Sequence, residues 1–254
     1  MNWIKKTTLI GAIVLISGAF IYATSTETKN KITREGTSQF FPTAIDFAGE
    51  PAPLQMNDVR ERLDRELLIN ANLDATTLLI IKRANRVFPI IEPILQLYNV
   101  PDDFKYLAVI ESGLVNAVSP AGARGVWQFM PLTAKEKGME VNDMVDERYH
   151  LEKSTEAACK YLLEAKAKFG SWTLAAASYN GGMTGVNKQI EMQQVSTYYD
   201  LLLNDETSRY VFRILALKEI MKNPDKFGFN VNLDEMYVNL PSKVITVDTT
   251  ISDL

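Results

Sequence analysis

The chain has one cysteine and one histidine in 254 residues, and those two scarcities remove most familiar site chemistries. A lone Cys159 rules out an internal disulfide and any zinc site built from several cysteines. A lone His150 rules out a histidine cluster for a metal, and a Ser-His-Asp triad too unless His150 itself serves. No metal site and no cofactor is therefore expected. Charge of one sign is also missing: 27 basic residues face 31 acidic ones, for a net charge of -4. Without a broad basic field the chain has nothing to hold a nucleic acid backbone, and nucleic acid is set aside as a partner. Internal repeats and low-complexity tracts are absent as well. Cys159 lies at the edge of the apolar face formed by Ala158, Tyr161, Leu162, Ala165 and Phe169, and is read as small packing material. His150 follows Arg148 and Tyr149 near a helix start, and is read as a surface or capping residue.

Lys5 and Lys6 precede an uncharged, apolar stretch from Thr7 to Ala23. Residues 1-23 are read as a signal peptide or a membrane anchor, because the length lies between a cleavable core and a full span. Either way the lysines favour the cytoplasmic side, which places the rest of the chain in the periplasm or cell envelope, with contact to the inner membrane through this segment. Residues 24-53 are polar and then punctuated by Pro and Gly, and read as a linker or wrap. Within them Phe40, Phe41, Ile45 and Phe47 form an apolar cluster expected to dock in part on a core. Residues 54-232 read as one mainly α domain. Residues 233-254 read as an extended, strand-like tail, from the branched and aromatic content of Met236-Tyr237-Val238 and Val244-Ile245-Thr246-Val247.

Inside the helical domain the hydrophobic period predicts helices over Asp58 to Leu73 and Thr76 to Tyr98, the second interrupted near Pro89 and Pro93. A third runs from Pro101 to about Leu114, with Asp102 and Asp103 at its positive end. Others cover Glu152 to Phe169, Trp172 to Tyr179, Gly185 to Met192 and Glu206 to Lys222. The last carries an Asn204 or Asp205 cap, a Pro224 stop, and a buried stripe of Tyr210, Ile214, Leu217 and Met221.

The third helix holds the most informative residue. Phe104, Leu107, Ala108 and Glu111 follow the i, i+3, i+4, i+7 spacing and share one stripe, so an ionisable side chain sits in an apolar wall. Desolvation raises a carboxyl pKa, and a carboxyl group still protonated near neutral pH can act as a general acid. The same placement also suits a carboxylate that caps a turn or pairs with a buried arginine, and the stripe alone leaves both open. After Glu111 comes the loop Ser119-Pro120-Ala121-Gly122-Ala123-Arg124-Gly125, where the glycines permit turns and close backbone approach. Val126 to Pro131 follows, in which Gln128 offers donor and acceptor groups and Met130 a soft apolar contact. That pair suits an acetamido sugar, and equally suits plain packing and capping.

Four runs in order, Glu111-Ser112-Gly113, Ser119 to Pro131, Ala177-Ser178-Tyr179-Asn180-Gly181-Gly182 and Glu206-Thr207-Ser208-Arg209-Tyr210-Val211, resemble the motifs of the lytic transglycosylases with a soluble-type catalytic domain. Within these the chain is most similar to the membrane-bound lytic murein transglycosylase D group. The resemblance spans roughly Asp58 to Pro224 and implies a lysozyme-like, mostly helical fold related to goose-type lysozymes. It implies cleavage of the β-1,4 bond between N-acetylmuramic acid and N-acetylglucosamine in peptidoglycan strands, with a 1,6-anhydromuramyl product. Glu111 would then be the catalytic acid and base, with Tyr179 hydrogen-bonding near it. Ser119, Gln128 and Met130 would line the groove, with Asn180 and Tyr210 as supports. Two positions differ from the pattern: Gly113-Leu114 stands where many relatives carry an aromatic, and Ser178 where Ala is usual. Two other readings remain: a lysozyme-type hydrolase that uses water, and a non-catalytic envelope protein that binds glycan.

Overall fold

A computed structural model describes residues 40–239. The apolar leader, residues 24–39 and the Val244 to Val247 segment fall outside the described residues. The described part is mainly α, as the helical periods predict, and lysozyme-like, as the resemblance implies. Its compact unit starts at Phe41, ahead of the boundary at 54 that the helical pattern suggests. The physical reason is burial. Ile45, Phe47 and Ala52 are packed into the core, and Phe47 meets Phe104 edge to face at a centroid separation of 4.9 Å.

Those residues lie in and around a short hairpin, β1 (Asp46–Phe47) paired antiparallel with β2 (Glu50–Pro51). A two-residue ladder is too small to hold itself, and charged groups fasten it. The Glu50 carboxylate accepts hydrogen bonds from the Trp172 and Thr173 amides at 2.6 and 2.8 Å and from the Ser171 and Thr173 hydroxyls at 2.8 and 2.6 Å. These are the free donors at the start of helix α6 (Trp172–Gly181), so a side chain far off in sequence caps that helix. Burial pushes the Glu50 carboxyl up, but the Thr173, Trp172 and Ser171 donors together outweigh it and hold its pKa at about 2. The buried Lys218 ammonium completes the clamp, donating to the Asp46 carbonyl at 2.7 Å and to Asp103 Oδ2 at 2.6 Å.

A depressed carboxyl pKa stabilises the fold above the unfolded value of 4.5, and that contribution disappears as pH falls towards 2. Glu50→Ala is therefore expected to cost about 2 kcal/mol at neutral pH. In urea melts the gap between variant and parent should shrink steadily below pH 4. A constant gap across that range would show that charge plays no part in the cap.

Helix α1 (Asn57–Asn72) leads into α2 (Asp74–Leu97), which runs straight through Pro89 and Pro93. The expected interruption does not occur. Both prolines lie on the solvent side, where the carbonyls they leave without an N–H partner can bond water. The opposite side buries Ile80, Ile81, Ala84, Val87, Ile91 and Leu95 and holds the helix in one piece. The tail does not continue as a strand over its described part. Leu233–Glu235 is a single 3-10 turn, and the chain then laces onto α2. The Tyr237 amide donates to the Lys82 carbonyl at 3.1 Å, and the Asn239 side chain to the Arg86 carbonyl at 3.1 Å. The exposed face of α2 takes those bonds.

The remaining helices are α3 (Lys105–Ser112), α4 (Pro131–Glu136), α5 (Leu151–Phe169), α7 (Met183–Gln193) and α8 (Asp205–Lys222). Asn204 caps α8, its Oδ1 accepting from the Thr207 amide at 2.9 Å. Sequence patterning gives α8 one buried stripe, yet it is buried nearly all round, with Val211, Phe212, Leu215, Ala216 and Ile220 enclosed beside Tyr210, Ile214 and Leu217. It packs against α1, α3 and α6 at once. A helix in the centre of a domain has no wet face to show.

Candidate active site

Helix α3 is two turns long and delivers Glu111 at its C-terminal end. Phe104, Leu107 and Ala108 are completely buried on the same stripe. Gly113 stops the helix in the left-handed region at φ 60°, its amide bonding the Val109 carbonyl at 2.8 Å. Arg83 from α2 donates to the Gly113 carbonyl at 3.0 Å and fixes this end. Leu114 is buried in the core and offers no surface for a sugar to stack on.

The Glu111 side chain is half-buried. Tyr210, projecting from α8, donates its hydroxyl to Glu111 Oε1. Burial raises the Glu111 pKa most strongly; the Tyr210 hydrogen bond and the Arg213 charge pull it down, Glu206 pushes it up, and the balance lies at about 7. Near neutral pH this carboxyl is thus divided between acid and carboxylate, the condition for both giving and taking a proton. Tyr210 itself is held neutral far above its ordinary range, by burial first and then by the Glu111 charge. Near neutral pH it is a donor.

Tyr179 sits beside this pair but bonds elsewhere. Its hydroxyl donates to the Trp127 carbonyl at 2.8 Å, while burial and then the Glu111 charge hold it neutral. The direct partner of Glu111 is therefore Tyr210, while the Tyr179 hydrogen bond beside it goes to the Trp127 carbonyl. The Ser112 hydroxyl donates to the Val126 carbonyl at 2.8 Å, so α3 and α6 each grip one peptide of the segment that follows the glycine-rich loop. The Trp127 ring is buried, with its Nε1 donating to Thr155 Oγ1 at 2.8 Å.

The loop is a small irregular ladder, with bridges between Val118 and Arg124 and between Arg124 and Phe129. Ser119 braces it from within, accepting the Ala123 amide at 3.0 Å. Gln128, itself at φ 51°, gives both its amide protons to loop carbonyls, at 3.0 Å to Ala117 and 2.7 Å to Gly125. Met130 is exposed at the start of α4. Asn180 donates to Glu206 Oε1 at 2.8 Å and accepts from Thr207 Oγ1 at 2.7 Å, joining α6 to the first turn of α8. Glu111, Tyr179, Tyr210 and Asn180 thus gather around the facing sides of α3, α6 and α8. Ser119, Gln128 and Met130 belong to the loop packed beside them through Val126 and Trp127.

Two residues without any sequence signal are essential to this geometry. Arg148 is buried, pairs with both Asp146 oxygens at 2.8 and 2.7 Å, and donates to the Gly122 and Phe129 carbonyls at 3.0 and 3.1 Å. Arg213 donates to the Ile110 carbonyl at 3.3 Å and acts on Glu111 through its charge. Both work through contacts between segments far apart in sequence. Only Gly125, whose missing Cβ leaves room for the Arg148 carbonyl, marks its place.

Residues 88–201 match the family model described as Transglycosylase SLT domain. This stretch carries Glu111, the 119–131 loop and Tyr179, whereas Tyr210 and Arg213 come from α8, beyond the matched residues. The chain is also similar to the membrane-bound lytic murein transglycosylase D of Escherichia coli strain K12, 33% identical over 136 residues. The protein of the same description from Escherichia coli O6:H1 gives the same figures. The alignment covers 51% of this chain and 30% of each relative. The site presents the half-buried Glu111 carboxyl group with the Tyr210 hydroxyl donating to it. Among the described residues no cluster of His, Cys, Asp and Glu fit to hold a metal accompanies it.

Proposed function

We propose that the protein is a peptidoglycan lytic transglycosylase in which Glu111 is the single acid and base. The observation that carries the reading is the Glu111 carboxyl itself, desolvated on an apolar stripe, poised at about pH 7 and hydrogen-bonded by Tyr210. The SLT match over that residue and the likeness to the two transglycosylases support the substrate class.

In the first step protonated Glu111 gives its proton to the oxygen of the β-1,4 bond leaving N-acetylmuramic acid. The N-acetylglucosamine chain departs with that proton, and the bonding electrons go with the oxygen. In the second step the Glu111 carboxylate takes the proton of the muramyl C6 hydroxyl, whose oxygen closes on C1 to form the 1,6-anhydro ring. Atoms balance without water. A hydroxyl tethered within the same sugar has a large advantage over an outside nucleophile. Tyr210, held in its neutral form by burial, donates to the carboxylate between the two steps. Asn180 ties Glu206 to α6, which keeps that second carboxylate engaged with the scaffold.

We infer an envelope location from Lys5, Lys6 and the apolar run after them, in keeping with the membrane-bound description of the two relatives. Peptidoglycan strands are the proposed partner.

Mass spectrometry of muropeptides released from purified sacculi tests the reaction directly. The expected products end in 1,6-anhydromuramyl groups. Reducing ends would assign the protein to the hydrolases, and binding of sacculi without any release would make it a glycan-binding protein.

A further inference from the structure

One face of α8 presents three different groups to the Glu111 carboxyl. Glu206, Tyr210 and Arg213 are spaced i, i+4, i+7, so a negative charge, a hydroxyl and a positive charge follow one another along a single stripe. Glu206 and Arg213 also line a cleft of about 320 Å³ together with Glu66, Asn70 and Arg209. The two arginines of that cleft differ in what they hold. Arg209 is pinned by Glu66, at 2.7 Å from Nε and 3.3 Å from Nη2. The Arg213 guanidinium donates to the Ile110 carbonyl, the peptide directly before Glu111, and leans on the same helix end that carries the carboxyl group.

From that placement we propose that Arg213 is a positioning residue for Glu111, its charge steadying the carboxylate that remains once the proton has been given away. The inference rests on the reading of Glu111 as the acid and base. The chemistry asks for such a group. A carboxyl governed by burial alone would donate its proton reluctantly and leave an unsupported charge behind. Tyr210 supplies a hydrogen bond and Arg213 a positive charge. The other groups facing Glu111 are Glu206 on α8, which opposes Arg213, Tyr179 on α6, which is neutral, and Arg83 on α2, which is bonded to the Gly113 carbonyl. Arg213 is the cation whose influence reaches the carboxyl.

The test reads the proton on Glu111 without using cleavage. Protein carrying ¹³C-carboxyl glutamate is titrated by NMR, with the Glu111 signal assigned by its loss in Glu111→Gln. In Arg213→Gln the midpoint should move up by roughly one pH unit, while Arg213→Lys should leave it within a few tenths. Arg213→Met serves as a second neutral variant if the Gln form does not fold, and should move the midpoint the same way. An unchanged midpoint in the neutral variants, or an equal shift in the Lys variant, would overturn the inference. Failure of the functional reading appears separately, as full cleavage by Glu111→Gln or as no cleavage by the parent protein.

Discussion

Replacing Glu111 with Gln is expected to lower strand cleavage about 10³- to 10⁴-fold while making the folded protein more stable at pH 8. Gln keeps the shape and can still accept the Tyr210 hydroxyl, but it can neither give nor take a proton. The gain in stability follows from the direction of the pKa shift. The Glu111 carboxyl moves from 4.5 up to about 7, so its protonated form favours the fold fully below 4.5. That advantage is lost as pH rises to about 7, above which the folded state carries a buried charge. Because the group is half-buried, solvent reduces the cost to on the order of 2 kcal/mol at pH 8. Denaturant melts at pH 4 and pH 8 should show parent and variant equal in the first and the variant ahead in the second. The parent's cleavage rate should fall above pH 7 as the acid form empties. A variant that cleaves normally, or one that is less stable at both pH values, would remove Glu111 from the role given to it.

Gly125→Ala is the second large effect expected. Gly125 lies at φ 82° with its α-carbon directly under the backbone of Arg148, and an added Cβ would stand 1.9 Å from that carbonyl oxygen. Neither side can yield easily. The Arg148 side chain is fixed by Asp146, Gly122 and Phe129, and the Gly125 carbonyl receives the Gln128 amide group. The substitution should cost at least about 3 kcal/mol. Any protein that still folds should lose about 10²-fold in rate, because Trp127 and Val126 shift with the loop against Tyr179 and Ser112. Gly122 is the control. It too has a positive φ, of 89°, but nothing lies within 4 Å of its missing Cβ, so Gly122→Ala should cost only about 1 kcal/mol. Equal losses in thermal melts of the two variants would mean that backbone strain, and not the Arg148 contact, explains both.

Local patterning made Glu111 legible, because a single helix period is enough to place a carboxyl group among Phe104, Leu107 and Ala108. The start of α8 was legible for a similar reason, since Asn204 caps from three residues away. The helix period put Tyr210 on the buried stripe of α8 and only the resemblance of its motif put it at the site, and its pairing with Glu111 over Tyr179 depends on how α6 and α8 cross. No periodicity carries that information. The same holds for Arg148 and Arg213, each defined by carbonyls from a different segment. Pro89 and Pro93 misled because the rule against prolines weighs the lost hydrogen bond and not the side of the helix that bears it. Glu50 was invisible as a cap, since its helix begins over a hundred residues later.

The buried state of Cys159 has a practical consequence for watching this protein move. The chain holds one thiol, fully enclosed in the core and pushed up to about 12 by burial, where maleimide dyes find neither access nor thiolate. Cysteine introduced at Met130 or Leu132, both exposed on α4 or at its start, would be the sole labelling point. A fluorophore or spin probe could then report on the loop beside Glu111 with the native residue left in place.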